Sequence, residues 1–170
     1  MKIRKLFKFE ASHVVRNCSS ERCKKSIHGH SYLVEVFLES KYLDNGQMVY
    51  DFGLLKPTVG KFLDLFDHSW HFWNAETEEF KNFVKNNNER WIELPFSPSA
   101  ENYSIYFLKK IRDILSNTTF YNGEDFSVQC TGVRVHETAT GWAESNIDDL
   151  SLHDYYNLDD VLFSENSFNS

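Results

Sequence analysis

Phe7, Phe9 and Ala11 alternate with polar neighbours and lead to His13. This period of two predicts a strand over residues 2–13 with one buried face. A second strand is expected over residues 30–40. Ser31 to Leu38 is rich in β-branched and aromatic residues, and Val34, Val36 and Leu38 share a face with His28 and His30. Between them, residues 14–27 are polar, basic and cysteine-bearing, and read as a loop. Asp44-Asn45-Gly46 signals a turn, with Gly46 free to take positive φ. Val59, Phe62, Leu63 and Phe66 then recur at helical spacing, with Pro57 at the start and Asp67-His68 at the end.

Residues 70–94 carry no clear period. Phe80, Phe83 and Val84 hint at a short helix, within an insertion between two main helices that could act as a lid. Ser97-Pro98-Ser99 opens the second main helix, whose buried face is Phe107, Leu108, Ile111, Ile114 and Leu115. After an Asn122-Gly123 turn, Phe126 to Glu137 reads as a third strand, with Val133, Val135 and Glu137 on one face. A fourth strand follows Thr140-Gly141, over residues 142–147. Residues from about 160 to 170 read as a flexible tail, frayed and polar from Ser164. The order is ββααββ in a single 1–170 domain of the α+β class: a four-stranded antiparallel sheet with two helices on one face.

Composition narrows the function. The chain has 170 residues with 41% hydrophobic and 25% charged content, enough for one sizeable core. The formal net charge of −7 argues against nucleic acid or an acidic membrane as the main partner. No apolar run has membrane-spanning length, and the basic start is not followed by a signal-type stretch. Three cysteines, Cys18, Cys23 and Cys130, make no disulfide framework and suit a reducing cytoplasm.

The chemistry concentrates in His28-Gly29-His30 and His13. If the first two strands pair antiparallel, three imidazoles meet at one end of an apolar face. Three neutral imidazoles with an open fourth position form a catalytic zinc arrangement. Gly29 between two of them allows close backbone approach.

Further motifs stand in order along the chain: Phe9-Glu10-Ala11-Ser12-His13, Cys23 ahead of His28-Gly29-His30, Gly46 to Gly53, Asp67-His68, Pro98-Ser99-Ala100-Glu101-Asn102 and His136-Glu137-Thr138. In these the chain resembles the 6-pyruvoyl-tetrahydropterin synthase family, and within it the bacterial 6-carboxy-tetrahydropterin synthases of queuosine biosynthesis. The resemblance runs from about Phe7 to Trp142. It implies the tunnelling fold (T-fold), sheets joined around a ring, two trimeric rings stacked into a homo-hexamer, and active sites at subunit interfaces.

The resemblance also implies roles. His13, His28 and His30 would ligate Zn2+, which would act as a Lewis acid on a side-chain oxygen of a small-molecule pterin substrate. Cys23 would be the base, with Cys18 as a competitor in the same loop. Asp67 and His68 would relay protons, with His71 as an alternative imidazole. Glu137 would hold the pyrimidine edge of the pterin, and Glu101 and Ser99 would touch substrate or its neighbours. Arg16, Arg22, Lys24 and Lys25 are the cations nearest the metal loop for a triphosphate. Cys130 reads as core.

The implied activity is a carbon–carbon lyase, 6-carboxytetrahydropterin synthase. It would convert 7,8-dihydroneopterin triphosphate to 6-carboxy-5,6,7,8-tetrahydropterin, acetaldehyde and triphosphate, with no redox cofactor. The alternatives are a 6-pyruvoyl-tetrahydropterin synthase, which eliminates triphosphate only, and a non-catalytic pterin-binding protein on the same fold.

Overall fold

The computed structural model describes residues 1–123 and 128–168. The first two strands pair antiparallel: β1 (Lys2–His13) and β2 (His28–Glu39) run in register from Lys2 opposite Glu39 to His13 opposite His28. Phe9, Ala11 and His13 of β1 and Tyr32, Val34, Val36 and Leu38 of β2 are buried on one face. The predicted alternation is therefore the observed one. The loop between them carries a short helix, α1 (Glu21–Lys25). β5 (Gln129–His136) joins β2 antiparallel, and β6 (Trp142–Asn146) joins β5. The expected start of the third strand at Phe126 lies outside the described residues.

The two main helices lie on one face. Pro57 sits at the start of a π-helical turn, Lys56–Gly60, which runs into α2 (Lys61–Asp64). α4 (Ala100–Ser116) begins at Ser99, whose side chain accepts a hydrogen bond from the backbone N–H of Asn102. Val59, Leu63 and Phe66 are buried against Phe107, Leu108, Ile111 and Leu115. Phe66 is the centre of this core: its ring meets those of Phe9, Phe62, Tyr103, Tyr106, Phe107 and Phe163.

The expected four-stranded antiparallel sheet is corrected to a seven-stranded mixed sheet among the described residues, in the order β6-β5-β2-β1-β3-β4-β7. The stretch expected to be an irregular excursion is a strand–helix–strand unit: β3 (Ser69–Trp73), α3 (Glu78–Asn87) and β4 (Trp91–Leu94). β3 runs parallel to β1, and β4 parallel to β3. Parallel neighbours need a crossover, and α3 supplies it. The unit hid in the sequence because both faces of its strands are covered, which erases the alternation. Trp70 and Phe72 pack beneath Phe80 of α3, and Glu93 pairs there with Lys85 at 2.6 Å. His71, Ile92 and Leu94 are buried.

The expected frayed tail is also corrected. Leu162–Phe163 forms β7 and pairs with β4. Ser164 and Ser167 are buried and lie 2.9 Å apart, with Ser164 Oγ accepting from the backbone N–H of Trp91. Residues 169–170 lie outside the described residues. At the 44–48 turn the positive φ falls on Gln47, at 62°, rather than on Gly46. Asp44 Oδ1 accepts from the N–H groups of Gly46 and Met48, which fixes the turn without it. No helix among the described residues is long and apolar enough to cross a membrane.

Two buried histidines tie these layers together. His71 bonds through Nδ1 to the Tyr103 hydroxyl at 2.7 Å and through Nε2 to Ser69 Oγ at 2.7 Å. Burial lowers it from 6.5 to about 3, with His13 adding to the effect and a bond to the Phe66 carbonyl opposing it. Burial lowers His153 to about 4, with Lys109 adding to it. Both stay neutral in the folded chain, while the unfolded chain takes up their protons near 6.5. The unfolded state therefore binds more protons below that pH, and stability falls as pH falls toward about 4.

Two outcomes follow for stability. With chelator present, the urea midpoint should be flat above about pH 7 and drop on acidification to about pH 5; His153→Gln should flatten the drop, and a midpoint that rises in acid contradicts the assignment. Phe66→Ala should cost about 3–5 kcal/mol in urea unfolding, because no neighbour can fill the space its ring leaves.

Candidate active site and metal centre

The register of β1 against β2 sets the centre. His13 lies opposite His28, and Ala11 lies opposite His30, so the three rings occupy one end of one face. Ring centroids are 4.5–5.0 Å apart. One nitrogen from each of the three rings lies within 4.8 Å of the others. Gly29 makes the close pairing possible, since a Cβ there would stand 3.2 Å from the Ala11 carbonyl oxygen.

Hydrogen bonding fixes the tautomers. His13 Nδ1 donates to the Pro98 carbonyl at 2.6 Å, and His28 Nδ1 donates to the Ser26 carbonyl at 3.0 Å. Each ring therefore presents an unprotonated Nε2, and these two atoms face one another at 3.1 Å. Two lone pairs in that position repel unless a cation sits between or beside them. His30 Nε2 is buried with no hydrogen-bond partner. Burial lowers His13 to about 4, with His28 and His30 adding to the effect against the Pro98 bond. Burial, then His28, also lowers His30. Three converging imidazoles, one with an orphaned nitrogen, are a donor set that a divalent metal takes. Pro98, expected within the first turn of α4, stands just before its cap and orients a histidine instead.

Glu137 follows β5 and brings Oε1 to 3.6 Å from His13 Nε2 and 3.9 Å from His30 Nε2. Burial pushes its carboxyl upward, Glu101 adds to this, and His28 opposes it. A cavity of about 490 Å³ opens here, and its walls include Cys18, Cys23, His28, Ser99, Glu101 and Glu137. Gly141 and Trp142 also line it. The sequence places Gly141 in the turn before the fourth strand and Trp142 at that strand's start, and only their position just after the His136-Glu137-Thr138 motif marks them.

The structure brings together six of the expected residues in this cavity and leaves others out. His68 lines a different cavity, of about 580 Å³, together with Glu10, His30, Ser31 and Arg90, and Asp67 is bonded to its ring. They are nevertheless built with care. Asp67 Oδ1 accepts from the Glu10 N–H at 2.7 Å, and the His68 N–H donates to the Glu10 carbonyl at 2.7 Å. His68 adopts φ 52°, and its Nδ1 donates to Asp67 Oδ2 at 2.7 Å. That bond leaves Nε2 as the open nitrogen of the His68 ring. His71, weighed as an alternative, is fully buried with both nitrogens bonded, and cannot meet substrate.

The basic cluster is largely spoken for. Lys24 and Lys25 pair with Glu21, and Arg16 pairs with Glu76 at 2.7 Å. Arg22 pairs with no acid among the described residues. Cys130 is buried in the core as expected, and burial pushes its thiol up to about 12. All three cysteines are free thiols.

Metal binding provides the check. The purified chain should take up about one equivalent of zinc or cobalt per subunit, read by elemental analysis and by the cobalt absorption spectrum. His28→Ala should lower the affinity by at least roughly a hundredfold, measured by competition with a chromogenic chelator. Unchanged affinity in that variant overturns the three-histidine site.

Comparison with known proteins places this geometry. Residues 2–147 match the family described as 6-pyruvoyl tetrahydropterin synthase. The chain is 49% identical over 150 residues to the 6-carboxy-5,6,7,8-tetrahydropterin synthase of Helicobacter pylori strain J99, covering 88% of this chain and 74% of that one. It is 26% identical over 145 residues to the protein of the same name from Rickettsia bellii, covering 85% and 99%. Among solved structures, an uncharacterized protein from Wolinella succinogenes superposes with a TM-score of 0.67 at 19% identity, over 86% of this chain and 98% of that one. The Caenorhabditis elegans 6-pyruvoyl tetrahydropterin synthase does so with a TM-score of 0.60 at 24% identity, over 86% and 94%.

Proposed function

The chain belongs to the 6-pyruvoyl tetrahydropterin synthase family, and from that premise we propose that it is a zinc-dependent 6-carboxy-5,6,7,8-tetrahydropterin synthase. Its substrate is 7,8-dihydroneopterin triphosphate, and its products are 6-carboxy-5,6,7,8-tetrahydropterin, acetaldehyde and triphosphate, on the route to queuosine. The observation that carries the reading is the convergence of His13, His28 and His30 beside Glu137, with His28 and Glu137 lining the cavity that also holds Cys23. The H. pylori relative supports the choice of product.

His13, His28 and His30 would hold the zinc, which would supply Lewis acidity toward the oxygens of the substrate side chain. Glu137 accepts the adjacent N–H groups of the pterin edge and fixes the ring, and Ser99 and Glu101 line the wall next to it. Cys23 takes the proton from the side-chain carbon. Asp67 holds His68 in the tautomer that presents Nε2 for proton exchange. Arg22, beside Cys23 and unpaired, is the loop cation for the triphosphate.

Asp67 and His68 reach this chemistry across a subunit boundary, in a homo-hexamer built as a dimer of trimers. One observation supports that: β3 covers the outer edge of β1 only from Ala11 to His13, leaving the rest of a long strand to be paired by another copy. Three free thiols suit the cytoplasm.

Incubation with dihydroneopterin triphosphate, followed by product mass and an acetaldehyde assay, tests the proposal. A 6-carboxy product with acetaldehyde supports it, a 6-pyruvoyl product without acetaldehyde makes it the sister synthase, and unconsumed substrate makes it a binding protein. Cys23→Ala should retain zinc and lose at least about a hundredfold in kcat; full activity in that variant would move the base to Cys18.

A further inference from the structure

Arg16 ties its own loop to the turn and helix that follow β3. Its Nε donates to Glu76 Oε1 at 2.7 Å, and its Nη1 donates to the Lys24 carbonyl at 2.8 Å. Its guanidinium carbon lies 5.3 Å from the centre of the Phe80 ring. Glu76 sits in the turn between β3 and α3, with its side chain only 8% exposed. Lys24 is the residue after Cys23.

The cysteine loop has little else to hold it. α1 has no side-chain cap and no buried residue. The next residue after Arg16, Asn17, lies in left-handed backbone at φ 61°, a conformation non-glycine residues adopt reluctantly. Inside the loop, the Val15 N–H reaches the Cys23 carbonyl at 3.3 Å.

We infer that Arg16 is a positioning residue for Cys23, and that the β3–α3–β4 unit, through Glu76 and Phe80, is the buttress that holds the cysteine loop against the metal centre. The inference rests on the lyase reading above, in which Cys23 is the base. A planar guanidinium serves a carboxylate and a carbonyl through separate N–H groups while its face lies on an aromatic ring, a fixed fork geometry that an ammonium does not reproduce. Proton transfer requires the thiol within hydrogen-bond reach of the reacting carbon's proton. A loop displaced by about 1 Å loses much of that reach.

Arg16→Lys, Glu76→Gln and the double variant, compared in the zinc-loaded full chain, test it. Three quantities are read: kcat and KM with dihydroneopterin triphosphate, bound zinc, and the rate of iodoacetamide alkylation at Cys23 relative to Cys18 by peptide mass. Arg16→Lys should lose roughly ten- to a hundredfold in kcat, with KM within about twofold, zinc unchanged and the Cys23 alkylation rate altered. Glu76→Gln should move the same quantities the same way. The double variant should be no worse than Arg16→Lys, because the two residues act through one contact. Wild-type kcat and alkylation in either single variant overturns the inference, as do losses that multiply in the double variant or zinc lost along with activity. If Arg16→Lys does not fold, Glu76→Gln decides alone. Cys23→Ala separates the two levels. An inactive Cys23→Ala beside fully active Arg16 and Glu76 variants removes only this inference. A fully active Cys23→Ala removes the role of Cys23 and this inference with it.

Discussion

The pairing of β1 with β2 is the constraint on which the rest depends. His13 opposite His28 puts two Nε2 atoms 3.1 Å apart, and the alternation of side chains brings His30 onto the same face. A slip of one residue would turn one strand's set of side chains to the other side of the sheet. The register is held by burial along its whole length, since Phe9, Tyr32, Val34, Val36 and Leu38 are buried on that face. The same apolar contacts that stabilise the core thus fix the spacing of the polar cluster at its end. Gly29 is where the two demands meet, because a Cβ there would stand 3.2 Å from the Ala11 carbonyl oxygen and press the two backbones apart by a few tenths of an ångström.

The parts legible in the sequence were those with one wet and one dry face. β1, β2, α4 and β5 each show the period their environment imposes, and the three histidines were visible because they sit in phase with that period. β3 and β4 were not legible. Trp70, Phe72 and Trp91 pack toward α3 while His71, Ile92 and Leu94 are buried, so no alternation survives. The tail misled for a different reason. Ser164 and Ser167 look like solvent-facing residues, yet they are buried because each satisfies the other's hydroxyl. Polar composition signals exposure only when such partners are absent.

The candidate site divides the same way. Motif order found the residues that touch the cavity, but nothing in the chain announced Glu76 or the carbonyl of Pro98. Backbone acceptors leave no trace in side-chain identity, and a carboxylate that pairs 60 residues away has no local pattern. His71 shows the converse: its neighbourhood in sequence suggested chemistry, while its two short hydrogen bonds make it a neutral strut between β3 and α4.

The strand–helix–strand unit and the residues after 147, which lie outside the family match, share one structural debt. β4 without β7 would be a raw edge carrying unpaired amide groups, ready to recruit another chain. β7 without β4 would have nothing to dock on. The distal segment therefore works as a selvedge for the sheet, and β4 and β7 make sense only as a matched pair.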